Sequence, residues 1–138
     1  MAQTVVALVE DLVFTSKLRA VAPAAGAKLH VAAQVEPFLE LIRSVAPTLI
    51  LLDLNLARVD ALTVVPQALV AANGCSAPVV GFLSHVQAER AQQALTAGCT
   101  AAVARSLFVH VLPSLLREGL SALTGVAESD APHAPTSS

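Results

Sequence analysis

Asp53 closes the apolar run TLILLD, Glu10 and Asp11 follow directly on TVVALV, Ser84 follows PVVGFL, and Arg105 follows TAAVA. Each chemically capable side chain therefore stands at the end of a short hydrophobic segment. Carboxylates brought together with a hydroxyl and a cation can hold a hard divalent cation through oxygen ligands and offer positive charge to a phosphoryl group. That chemistry requires the apolar runs to lie side by side with their carboxyl ends on one edge.

The sequence supplies such an arrangement. Thr4 to Val9, Lys28 to Ala32, Thr48 to Asp53, Pro78 to Leu83 and Thr100 to Ala104 are strand candidates, and runs apolar on both faces suit parallel strands covered on each side. Helix-compatible segments lie between them. Leu12 to Ala22 carries Phe14, Leu18 and Val21, and a second begins near Pro37, carries Phe38, Leu41, Ile42 and Val45, and closes at Pro47. Asp60 to Ala72 is a third, its start shortened or kinked by Pro66, and Gln87 to Ala97 a fourth, ended by a left-handed Gly98. The fifth runs from about His110 to Leu123, with Pro113 in its opening turn. This alternation predicts an α/β fold, a five-stranded parallel sheet in a three-layer α/β/α sandwich, with ligands bound outside the carboxyl ends of the strands. Residues 1–124 are expected to form this domain, and the polar, proline-bearing 125–138 a disordered tail.

Strand one ending LVED, strand three ending LILLDLNL, the Gly98 turn and strand five ending VARS resemble the receiver domains of two-component response regulators, over Thr4 to about Leu123. The resemblance implies a flavodoxin-like fold in which Asp53 is the acceptor of a phosphoryl group from a histidine kinase. It also implies that Glu10, Asp11, Asp53 and the backbone carbonyl of Asn55 hold Mg²⁺, with Arg105 in the place of the usual lysine. A carboxylate attacking a phosphoryl donor is repelled unless metal and cation neutralise the charge, so such catalysis is mainly positioning and electrostatics.

Departures from the pattern are as informative. Glu10 adds a methylene to a ligand of a small octahedral site, which weakens Mg²⁺ binding. Arg105 is longer and planar where a lysine would be a point charge. The phosphate-binding hydroxyl position falls on Leu83, with Ser84 one residue late as the remaining phosphate contact, and the aromatic switch position is Ala102. Ser106, Ala57 and Ala61 replace a proline, a proline and a glycine. These changes describe a diverged receiver or pseudo-receiver. Simpler readings stand beside the chemical ones: Asp53 as a cap, Glu10 and Asp11 as first-turn acids, Ser84 with Gln87 as a capping box, and Arg105 as an ion-pair partner of Asp53.

Composition narrows the function classes. Hydrophobic residues make up 55% of the 138, with no Trp or Tyr and four Phe, so the core is aliphatic and alanine-rich. A net charge of −2 with eight scattered basic residues gives no footprint for nucleic acid. No apolar run spans a membrane and no secretory leader is evident, so a cytoplasmic domain with reduced, small buried Cys75 and Cys99 is expected. His85 reads as a loop histidine near the site. The leucines of helix five, Leu112, Leu115, Leu116, Leu120 and Leu123, with Val109 and Val111 before them, exceed one packing stripe and pose a choice between core packing and a homodimer or partner surface.

The expected function is a stand-alone signalling domain acting through contact with a histidine kinase or other signalling protein. Asp53 is either its phosphoacceptor or a retained structural acid, and any catalysis is limited to self-phosphorylation and dephosphorylation there. A flavin- or cobalamin-type binder needs a phosphate loop or metal-ligand loop that EDLVFTSK does not supply. A hydrolase or transferase would need a nucleophile elbow or nucleotide loop.

Overall fold

The computed structural model describes residues 3–73, 77–84 and 88–123. Five strands, β1 (Thr4–Leu8), β2 (Lys28–Ala32), β3 (Leu49–Asp53), β4 (Val79–Leu83) and β5 (Ala101–Ala104), alternate with α1 (Leu12–Ala25), α2 (Val35–Val45), α3 (Ala61–Ala71), α4 (Ala88–Ala97) and α5 (Arg105–Glu118). All pairings are parallel, in the order β2-β1-β3-β4-β5. This is the expected sandwich with flavodoxin-like receiver topology.

The sheet's two faces feed separate cores, because successive residues of a strand point to opposite sides. Val5, Ala7, Leu49, Leu51, Val80 and Phe82 pack with α1 and α5, including Leu18, Phe108, Leu112 and Leu116. Val6, Leu8, Ile50, Leu52 and Val79 pack with Phe38, Ile42, Val64, Ala68 and Ala94 of α2, α3 and α4. β3 and β4 are buried along their whole length, which explains why both read as unbroken apolar runs. Leu54, just past β3, lies against Gly81, where an added Cβ would stand 2.6 Å from Leu54 Cδ1. Glycine there leaves room for the Leu54 side chain against β4.

Helix limits differ from expectation at Pro23 and Pro113, and Pro66 does not shorten α3. α1 continues through exposed Pro23 to a left-handed cap at Gly26 with φ 74°. Pro66 lies in the interior of α3. α5 starts at Arg105, five residues earlier than the leucine pattern indicated, so Pro113 sits well inside it. In each case the proline faces solvent, so the carbonyl it leaves without a helical donor can be hydrated. Gly98 follows α4 with φ 130°, the positive angle expected of it.

The apolar excess of α5, which ends at Glu118, and of the residues just after it is used in packing: Val111, Leu112, Leu115, Leu116 and Leu123 are buried, and Val109 and Leu120 lie half-buried against the same core. None of the exposed large apolar side chains among the described residues belongs to α5. Cys99 is buried, and its burial pushes the thiol pKa up to about 11. No helix among the described residues is long and apolar enough to cross a membrane. Cys75, His85, Gln87 and the segment 125–138 lie outside the described residues.

Candidate functional site

Asp53 is the last residue of β3, paired in register with Phe82 of β4. Only 4% exposed, it is the one buried charged side chain among the described residues. Its Oδ1 accepts the Asn55 N–H at 2.8 Å, and its Oδ2 faces Arg105 Nη2 at 3.7 Å. Burial raises its pKa above the usual carboxylate range; the Asn55 N–H and Arg105 pull it back, while Glu10 and Asp11 add to the rise. The net shift is upward. Desolvation therefore outweighs the cation, because a contact of 3.7 Å only partly replaces lost hydration.

Asp11 caps α1. Its extended backbone (φ −77°, ψ 116°) ends the incoming segment, and Oδ1 accepts from the N–H groups of Val13 at 2.9 Å and Phe14 at 3.3 Å. Its Oδ2 accepts from Arg105 Nη1 at 3.0 Å. The Phe14 N–H holds its pKa below the ordinary value against the opposing effect of burial, with Arg105 and the Val13 N–H adding to the lowering. Glu10 turns elsewhere, its Oε1 accepting the Ala57 N–H at 2.8 Å and so tying the loop after β3 to the end of β1.

Asn55 and Ser84 form a second link across the edge. Asn55 Oδ1 accepts from both the backbone N–H and, at 2.9 Å, the hydroxyl of Ser84. The hydroxyl therefore engages the β3–α3 loop. Arg90 of α4 adds a third link, donating from Nε to the Leu54 carbonyl at 2.9 Å and from Nη2 to Asp60, the cap of α3, at 3.2 Å.

Arg105 occupies the centre. It is the first residue of α5, placed over the edge because α5 follows β5 directly with Ala104 as its cap position. Its guanidinium carbon stands 4.6 Å from the Phe14 ring centroid and 5.5 Å from that of Phe82, an arrangement in which the ring quadrupoles attract the cation. Below, Phe14, Phe82 and Phe108 form a continuous cluster, with centroids 4.8, 5.7 and 4.7 Å apart pairwise. Arg105 Nε is buried, with no hydrogen-bond partner among the described residues.

The structure thus brings Asp11, Asp53 and Arg105 together, places Asn55 and Ser84 beside them, and turns Glu10 away. The aromatic platform was missed from sequence, although it left a signal. Phe14 stands three residues after Asp11 and Phe108 three after Arg105, a spacing that shares a helix face, and Phe82 lies opposite Asp53. Arg90 left no comparable signal, since nothing in the spacing of a polar helix shows which residue reaches a neighbouring loop.

A divalent cation does not fit this arrangement as it stands. Asp11 and Asp53 both direct Oδ2 to Arg105, their Oδ1 atoms accept backbone N–H groups, and Glu10 serves Ala57. Among the described residues no group of three or more His, Cys, Asp or Glu side chains is placed to hold a metal ion.

A parallel β2-β1-β3-β4-β5 sheet with an acidic pocket at the end of its central strand is the architecture of a response-regulator receiver domain, and solved structures similar in shape are described as response regulators or receiver domains. One is a response regulator from Burkholderia pseudomallei with a phosphorylated aspartic acid, calcium ion and citrate, at TM-score 0.78 and 17% identity over 98% of this chain and 77% of that one. A chemotaxis response regulator of Vibrio cholerae aligns at TM-score 0.75 and 16% identity over 87% of this chain and 100% of its own. A CheY-like receiver domain protein from Methanospirillum hungatei aligns at 0.74 and 16% identity, covering 88% and 95%. No family model and no curated protein matches the sequence. The fold is that of a receiver domain.

Proposed function

We propose that this chain is a receiver-type signalling domain that acts by binding another signalling protein while its acidic pocket stays closed, with Asp53 as a structural acid. The observation that carries this reading is the position of Arg105, bonded to Asp11 at 3.0 Å, 3.7 Å from Asp53, and seated over Phe14 and Phe82. Phosphoryl transfer to Asp53 calls for a bound cation and an open approach, and here both oxygens that would serve it already face a guanidinium. The hydroxyl position at Leu83 and the small Ala102 remove the parts that read a phosphoryl group. Ser84, the nearest hydroxyl in sequence, is bonded to Asn55. Signal output then depends on which partner docks.

A second reading keeps Asp53 as a phosphoacceptor for a histidine kinase, with Mg²⁺ on Asp11, Asp53 and the Asn55 carbonyl. The buried carboxylate at the end of the central strand favours it, and so does the phosphorylated aspartic acid of the Burkholderia relative. Incubation with Mg²⁺ and acetyl phosphate, read by intact mass, separates the two. The closed-pocket reading expects unmodified protein. A phosphoryl adduct mapped to Asp53 overturns it in favour of the second reading.

A further inference from the structure

We propose that a cavity at the carboxyl end of β1, between the start of α2 and the β3–α3 loop, binds a free apolar α-amino acid, with Arg58 taking its carboxylate and Glu10 and Glu36 its ammonium group. The strand order reverses at β1, which has β2 on one side and β3 on the other, and in open parallel sheets ligands settle in the crevice outside the strand ends at that point. The cavity measures about 270 Å³. That is below the roughly 300–1,000 Å³ of clefts that take drug-sized ligands and cofactors, so it suits an occupant of amino-acid size. Asp11, Asp53 and Arg105 do not line it, and the proposal is therefore independent of whether the acidic pocket is closed.

The lining divides by chemistry. Buried Leu8 and Leu56 give it an apolar base, and Ala33, Val35 and the exposed Val59 extend that surface outward, so an apolar side chain entering here loses contact with water. Three charged side chains complete the lining. Glu10 is held by the Ala57 N–H at 2.8 Å, whereas the side chains of Arg58 and Glu36 have no hydrogen bond or ion pair among the described residues. An apolar acid would satisfy Arg58 and face two like charges, and an apolar amine would do the reverse. A zwitterion answers all three, its carboxylate matching the planar fork of the guanidinium. The first turn of α2 strengthens the anionic end of the site: Gln34 stands at its cap position without a side-chain hydrogen bond to it, so the positive end of the helix dipole is left open beside the cavity.

The test is titration of the full chain with L-valine, L-leucine and L-phenylalanine, each alone, read as backbone amide shifts. The expected result is saturable shifts centred on Ala33, Val35, Leu56 and Val59 with at least one of the three. For that amino acid, the amide that lacks the carboxylate and the acid that lacks the amine should each bind roughly tenfold or more weakly, as loss of one charge-assisted contact implies. Arg58→Gln and Glu36→Gln should weaken binding to a similar extent, and both positions are exposed, so each variant should keep the wild-type amide dispersion. Arg117→Gln, on α5 across the sheet, should bind as the wild type does. No saturable shifts with any of the three amino acids, shifts centred elsewhere, equal binding of either truncated analogue, or undiminished binding by a folded Arg58→Gln chain overturns the proposal.

Discussion

The two faces of the sheet are packed by different means. The face covered by α2, α3 and α4 is aliphatic, with Phe38 as its sole buried ring among the described residues and with Ala61, Ala68 and Ala94 letting the helices approach closely. The face covered by α1 and α5 holds Phe14, Phe82 and Phe108 in mutual contact and carries Arg105 at its edge. Stability is shared between the faces, but the charge arrangement belongs to one of them. Electrostatics at Asp53 should therefore respond to the aromatic core and ignore the aliphatic one.

The sharpest way to break this distinction is a pair of matched substitutions. Phe82→Leu and Phe38→Leu should each cost about 1–3 kcal/mol in urea unfolding, since each removes part of a fully buried ring. Only Phe82→Leu should also shift the Arg105 Nε–H proton resonance, which ring currents from Phe14 and Phe82 move from its ordinary position. An equal shift in Phe38→Leu would show that the two cores are not separate.

Asp60→Ala probes the aliphatic side at its polar margin. Asp60 caps α3 through the Leu62 N–H at 3.1 Å and receives Arg90 at 3.2 Å. Loss of the cap should cost roughly 1 kcal/mol and leave the Arg105 resonance in place. A changed Arg105 signal would instead couple the cap of α3 to the pocket.

The smallest effects come from neutralising the acids. The Asp53 pKa is raised in the fold, so its protonation favours the folded state, and this contribution is lost as pH rises through the folded pKa. Asp53→Asn should accordingly raise Tm at neutral pH, with the gain shrinking as pH falls and Asp53 itself becomes neutral. Asp11 behaves oppositely. Its pKa is lowered, so its contribution is present above the ordinary carboxylate range and fades as pH falls through the folded pKa. Asp11→Asn, which retains capping ability, should lower Tm at neutral pH with a deficit that closes in acid. Thermal melts across the acid range decide both signs.

How far the sequence reveals this molecule also differs between regions. The strands were legible because parallel strands covered on both sides must be apolar on both sides, and β3 and β4 are so throughout. The location of Asp53, Asp11 and Arg105 at one edge followed from topology. The ion pair of Arg105 with Asp53 was among the simpler readings, but the shorter contact with Asp11 and the seat over Phe14 were not, because they depend on where α5 begins. The leucines from Leu112 onward suggested a late start, whereas Arg105 opens the helix immediately after β5 and is thereby aimed over Phe14. Pro113 reinforced the error. A proline tolerated mid-helix on the solvent side has the same sequence appearance as one in a first turn. Glu10 was legible as an acid beside the site, but its use by the Ala57 N–H depends on loop geometry that residue types do not encode.

The central claim is that Arg105 keeps the pocket closed, and its own side chain is the most direct witness. The Arg105 Nε–H resonance should be followed in wild-type protein with millimolar Mg²⁺ and beryllofluoride, together with the amides of Asp53, Asn55 and Ser84. The account predicts that the Arg105 signal keeps its ring-shifted position and that those amides stay unmoved. Loss of that position with concerted shifts at Asp53, Asn55 and Ser84 would contradict it, showing that Arg105 yields to the metal and that the site opens as a phosphorylation switch.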